Sequence, residues 1–228
     1  MTLVSGIVRD ALRESNLVAR QQTSPTDETT EVLARLEAVV RSTLGNDVGY
    51  IMEDWNVVTA TNIKKPSGVS LTAAQAAAYT VPPNARLVGS LTAAAGLLLD
   101  PQPQDGARLG IVDAKNNFGA FNLTLNPNGR KIGGSTANLV LSTNSDARDY
   151  FYRADIADWK RVSPLVLTDE FIFPADFDDY FVVALALRVN PRYGKMLGDD
   201  SKARLEQQRA QIITRYSQTR LNTGGPAE

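Results

Sequence analysis

FNLTLNPNGRKI, residues 121–132, decides how the fold is read from the sequence. Phe121, Leu123 and Leu125 alternate with Asn122 and Thr124. That is the pattern of a strand with one buried face, because successive side chains leave a strand on opposite sides. Asn126-Pro127-Asn128-Gly129 follows at once. Asn-Gly is the strongest short hairpin signal, since both residues tolerate positive φ. The stretch therefore predicts a strand that turns back onto its successor.

The same texture extends outward from Pro82 to Pro164. Short β-rich runs at Arg86–Leu91, Gly96–Leu99, Ala107–Val112, Ala120–Leu125, Arg130–Ile132, Asn138–Ser142, Asp149–Arg153 and Trp159–Val162 are separated by turn-forming segments. Pro101–Gly106 and Gly133-Gly134-Ser135 are two of these turns. Several short strands at this spacing predict a small sandwich or barrel.

Both flanks are helical. Leu3/Val4, Ile7/Val8 and Ala11/Leu12 recur four apart and predict a short amphipathic helix over 3–14. Ser24 is placed to cap a second helix, and Pro25 sits at its first position. Asp27 and Glu28 complement its dipole. Val32, Leu33, Leu36, Val39 and Val40 form its buried stripe, and Gly45 lies just past its end. Between 46 and 80 the pattern is weaker: a strand around Asn56–Asn62, a turn at Lys64–Gly68, and Ser70–Ala78 with helix propensity but little apolar bulk. Asp176 to Val189 is apolar almost all round and predicts a central buried helix ended by Asn190-Pro191. A last helix follows from Ser201 to Arg220, with Leu205, Ile212, Ile213 and Tyr216 on one side, and residues 222–228 read as a tail.

The expectation is an α+β chain, an α-helical bundle with an inserted all-β domain that is sandwich or barrel-like. Residues 1–80 would hold the N-terminal helices and connector, 81–165 the inserted β domain, and 166–228 the C-terminal helices and tail. These last would complete the bundle with 1–45.

Composition narrows the chemistry. With 228 residues and 43% hydrophobic content the chain can bury a core. No run nears the roughly 18 apolar residues of a membrane span. Arg9, Asp10, Arg13 and Glu14 interrupt the N-terminal apolar stretch, unlike a secretory signal, which leads to the expectation of a protein cytosolic at synthesis. The chain has no histidine and no cysteine, so imidazole and thiol chemistry are closed to it. No cofactor, metal site or catalytic residue is expected.

Net charge is −1, but the charge is segregated. Asp146–Asp179 carries nine acids against four bases, net −5; Arg188–Arg220 carries eight bases against three acids, net +5. Such a molecule could pack head-to-tail around a ring, or both segments could be ordinary solvated faces.

Each candidate site meets a plainer reading. Asp169, Glu170, Asp176, Asp178 and Asp179 are oxygen donors, but the last three fall where acids favour a helix start. Gly129–Ser135 is glycine-rich and basic yet lacks a Gly-Lys-Ser/Thr ending, which favours a turn between strands. Trp159 with Tyr150 and Tyr152 could stack on a sugar, but such aromatics more often form the core. The bases of the last helix are open to three roles: a solvated face, a protein contact, or a DNA-channel lining. No Ser/Thr nucleophile has a histidine partner or a Gly-x-Ser-x-Gly elbow. A cell-wall glycan hydrolase would need two facing carboxylates, and no such pair can be placed.

Several stretches resemble podovirus head-to-tail adaptors, the tail tubular protein A or head-completion adaptor family. IVRDALRESNLV (7–18) and TSPTDETTEVLARLEAVVRSTLG (23–45) are similar to their opening helix pair. FIFPADFDDYFVVALALRVNPRYG (171–194) and SKARLEQQRAQIITRYSQTR (201–220) are similar to their closing pair. Residues 103–134 and 152–162 resemble a β-module found in phage tail and adaptor proteins. The resemblance implies a structural virion protein of the tail or neck, present in the host cytoplasm during assembly. Its copies would form a homo-oligomeric ring, a dodecamer, that binds the portal protein and receives the tail nozzle or next tail protein. Packaged DNA would pass through its channel without sequence-specific binding, and no membrane would be involved. Carried onto this chain, the portal-interface residues are Arg209, Arg215, Tyr216, Arg220 and Leu221. The alternative is a receptor- or glycan-binding tail accessory protein using the aromatics of the β region.

Overall fold

The structure is a computed structural model that describes residues 2–15, 26–48, 53–58, 80–81, 84–190 and 197–221, with backbone alone at 26–28, 53–58, 163 and 217–221. The expected cap at Ser24-Pro25, the turn at Lys64–Gly68 and the helical stretch Ser70–Ala78 lie outside the described residues. The chain divides into two compact units, Met1–Gly49 with Pro164–Glu228, and Tyr50–Ser163.

In the first unit, α1 (Val4–Glu14) buries Val4, Ile7, Val8, Ala11 and Leu12, the stripe its spacing predicts. Its unpaired first N–H groups find outside acceptors. Val4 donates to the Asp169 carbonyl and Ser5 to that of Leu167, both at 3.0 Å. Helix α2 (Thr26–Thr43) buries Val32, Leu36, Val39 and Val40. It does not stop at Gly45. The chain runs on through a π-helical turn, Leu44–Val48, which buries Leu44, Asp47 and Val48. A 3-10 turn (Ala175–Phe177) leads into α3 (Asp178–Val189), with Asp178 and Asp179 in its first turn as the dipole reading predicts. Helix α3 packs on α1, α2 and α4 (Asp199–Leu221), which is why its sequence is apolar almost all round. Phe171, Phe173 and Phe181 pack with ring centroids 4.6–6.2 Å apart, and Tyr216 of α4 joins Phe173 at 6.2 Å.

The described residues of the second unit hold ten strands: β1 Glu53–Val58, β2 Thr80–Val81, β3 Ala85–Ser90, β4 Ala95–Leu99, β5 Arg108–Asp113, β6 Leu123–Asn126, β7 Lys131–Ile132, β8 Leu139–Leu141, β9 Ala147–Arg153 and β10 Asp158–Ser163. They form a six-stranded sheet ordered β1-β3-β5-β9-β10-β7 and a four-stranded sheet ordered β2-β4-β6-β8. From β2 to β8 consecutive strands alternate between the sheets, and β1·β3, β3·β5, β2·β4, β4·β6 and β6·β8 each join a strand to the one two places on, whereas β5 pairs with β9 and β7 with β10. The pairs β1·β3, β3·β5, β2·β4 and β4·β6 are parallel; β5·β9, β6·β8 and β9·β10 are antiparallel. In-register rows of apolar side chains hold the coils together. Leu87 lies beside Ile111, Ala85 beside Leu109, Leu97 beside Leu125 and Ala95 beside Leu123, all buried in one core. Each fully buried Leu or Ile contributes about 1.5–3 kcal/mol of transfer free energy.

This overturns the expected α-helical bundle with an inserted all-β sandwich or barrel-like domain. Among the described residues, four α-helices accompany a β-solenoid-like arrangement of mixed sheets. The residues that misled are those at 126–129. Asn128 and Gly129 do take positive φ, 52° and 84°, and the Arg130 N–H closes the turn on the Pro127 carbonyl at 3.0 Å. Yet β6 lies in the four-stranded sheet and β7 in the six-stranded one, so the turn is a corner between sheets. Turn chemistry sets the local bend, and the partner across the sheet decides whether the bend makes a hairpin or a coil. Among the described strands only β9 and β10 are neighbours in both sequence and sheet. The run expected at Ala120–Leu125 also begins later, because the N–H groups of Ala120 and Phe121 are spent on the Asn117 carbonyl, 3.0 and 2.9 Å away.

Candidate functional site

Helix α4 is where the sequence-predicted interface residues fall. It has 23 residues and spans about 34 Å. Its first thirteen, 199–211, include no buried residue; Ser201, Leu205 and Gln208 are half-buried and the others are exposed. Only Ile212 and Tyr216 are buried in its described part, and Ile213, expected on the packed side, is 38% exposed.

What faces the rest of the unit along that first half is mostly polar. Ser201 Oγ donates to Glu14 Oε1 at 3.1 Å, and Arg204 reaches the same oxygen at 2.9 Å. Arg204 Nε also lies 3.3 Å from Asp179 Oδ2, which accepts from Gln208 Nε2 at 2.7 Å. Arg209 Nε donates to Asp47 Oδ1 at 3.0 Å. The contacts thus land on α1, α3 and the π-helical turn, three separate elements.

Asp47 is the polar centre of this arrangement. The π-helical turn carries it inward, leaving its side chain 5% exposed against 44% for Arg209. Its Oδ2 accepts weakly from the Tyr180 hydroxyl at 3.4 Å, and that hydroxyl lies 3.2 Å from Thr43 Oγ1. Burial pushes the Tyr180 phenol above the usual tyrosine range, against the bond to Thr43. The bond to Asp47 holds the Arg209 proton more firmly still. Beside this network a cleft of about 300 Å³ opens between α4 and the helices it crosses, with an apolar wall of Val39, Ala184, Leu187 and Leu205.

The five interface residues therefore have different surroundings. Arg209 is bonded to Asp47. Arg215 lies over the rings of Phe177 and Tyr216, 5.6 and 5.7 Å from their centroids. Tyr216 is fully buried. Arg220 and Leu221 belong to the last turn of α4, and their side chains lie outside the described residues. Intramolecular partners take up much of the basic character of α4: Arg204 and Arg209 as above, and Lys202 with Asp199 at 2.9 Å.

The other candidates take their plainer reading. Asp178 accepts from Thr2, and Asp179 from Arg204 and Gln208. Among the described residues no group of three or more acids is placed to hold a metal ion. Gly133 and Gly134 take φ of 60° and 84° in a tight turn between Ile132 and Ser135. Trp159, Tyr150 and Tyr152 are buried, with Tyr152 and Trp159 5.1 Å apart at their centroids, so they form core and no open platform.

Sequence reasoning missed Glu14, Asp47, Asp179 and Tyr180 as one constellation. Asp47 follows Gly45-Asn46, which reads as loop beyond a helix, and no local signal announces a π-helical turn. No family model matches the chain, and no curated protein matches it.

Proposed function

We propose that this chain is a structural assembly protein, a ring-forming head-to-tail adaptor that joins a portal to a tail and extends the DNA channel. The observation that carries the reading is α4, a helix of 23 residues whose first thirteen bury nothing fully within the molecule. A helix gains most of its stability from packing an apolar face, and one this exposed is suited to packing on other chains. The likeness of both helical segments to podovirus adaptors supports the same reading, as does the absence of histidine and cysteine, which leaves few catalytic options. The ring number, the portal as partner and the passage of DNA come from that likeness.

Mixing the purified chain with portal rings and sedimenting the mixture tests the proposal. Co-sedimentation at a fixed ratio of chain to portal subunit is expected, and a chain that stays at the top as a monomer would overturn it. The buried positions of Trp159, Tyr150 and Tyr152 remove the observation behind a glycan-binding reading.

A further inference from the structure

We infer that the first half of α4, residues 199–211, is an ion-latched strap that opens and closes over the cleft beneath it. This goes beyond the adaptor reading and concerns the chain on its own, before any partner packs on α4.

Two halves of one helix are held by different physics. The second half is anchored by Ile212 and by Tyr216, which packs among Phe173 and Phe177. Apolar and aromatic burial of this kind is insensitive to simple salt. The first half has only Leu205, half-buried, as an apolar contact. Its remaining hold is Arg204 on Glu14 and Asp179, Arg209 on Asp47, and the bonds that the uncharged Ser201 and Gln208 donate to the Glu14 and Asp179 carboxylates. Arg204 and Arg209 are each 44% exposed, so water and counter-ions reach the cationic side of all three pairs. The space beneath is not close-packed either. The cleft of about 300 Å³ separates this half of α4 from Val39, Thr43, Ala184 and Leu187.

Salt therefore acts on one half of the helix alone. Screening shortens from about 10 Å at 0.1 M to about 3 Å at 1 M. The Arg209–Asp47 pair, with its carboxylate buried, is the least screened and keeps the strap shut at ordinary salt. Lys202 pairs with Asp199 on the same helix and contributes nothing to the latch. Opening would free the strap as far as its Ile212/Tyr216 anchor, let its unsupported turns fray, and bare Asp47, Tyr180 and the apolar wall of the cleft.

Hydrogen exchange of the full chain at 0.1 M and 1 M sodium chloride tests this. Amides of 203–209 should exchange about tenfold faster at 1 M, the size that weakening of the two exposed Arg204 pairs and the half-exposed Arg209–Asp47 pair supports, while those of α3 and of 212–216 keep their rates. The Arg204→Gln/Arg209→Gln double variant should show the fast exchange already at 0.1 M. Because the natural chain has no cysteine, Leu205→Cys gives a second readout. Its thiol should react about tenfold faster at 1 M, and that of Ile212→Cys should not. Salt-independent rates at 203–209, or an equal acceleration in α3, would overturn the strap.

Discussion

Gly89 lies under the ring of Phe118, and a Cβ built on it would sit 2.4 Å from Phe118 Cε1. Phe118 is fully buried, so the ring has nowhere to retreat. Gly89→Ala should therefore destabilise the protein by about 1–3 kcal/mol in denaturant titration, as overpacking does; a change under about 0.5 kcal/mol would show the contact is soft. Three buried phenols, Tyr150, Tyr152 and Tyr180, are all held above the ordinary tyrosine range, first by burial. An unfolded tyrosine loses its proton near pH 10. Above that pH the unfolded chain has released protons that the folded one keeps, so stability falls as pH rises through the window. Stability measured from about pH 9 upward should show this decline, and Tyr180→Phe should make it shallower. An unchanged slope in that variant would contradict the placement of its hydroxyl between Thr43 and Asp47. At this scale the sequence was legible where burial follows from residue type. Trp159, Phe181 and Val40 belong to the core on sight, whereas Asp47 became a buried ion-pair partner only through a turn that nothing in Gly45-Asn46-Asp47 announces.

Elements were more legible than their pairing. The stripes of α1 and α2 and the all-round apolar α3 follow from helical periodicity, and most strand runs lie within a residue or two of their expected places. Pairing was not legible because it depends on positions far apart in the chain. The positive φ values at Asn128 and Gly129 suit a hairpin and a solenoid corner equally. The core packing of β6 is tested by one substitution and the parallel coil by another pair. Leu125 lies in register with Leu97 and Leu139 in the four-stranded sheet and is fully buried. Leu125→Ala should cost about 2–5 kcal/mol. Parallel pairing itself is checked by cysteine substitution at Val88 and Val112, which are paired in register on β3 and β5. A short thiol cross-linker should join Val88→Cys to Val112→Cys within one chain. A hairpin of β3 with β4 would keep that pair apart, and failure to cross-link would contradict the coil.

At the scale of the whole molecule, part of the charge segregation seen in the sequence is met inside the chain. Arg204 and Arg209 meet Glu14, Asp179 and Asp47, so a ring held by these two bases on another protomer's acidic segment would first have to compete with these pairs. What α4 offers a partner is its length and exposure more than its charge. A chain built to assemble on a portal, as proposed, must add its mass to that of the ring. Native mass measurement of the full chain mixed with portal rings should give one discrete complex, its excess mass a whole multiple of the 24.7 kDa chain matching the portal's symmetry. A spectrum containing only the free 24.7 kDa monomer and the unmodified portal would contradict the account.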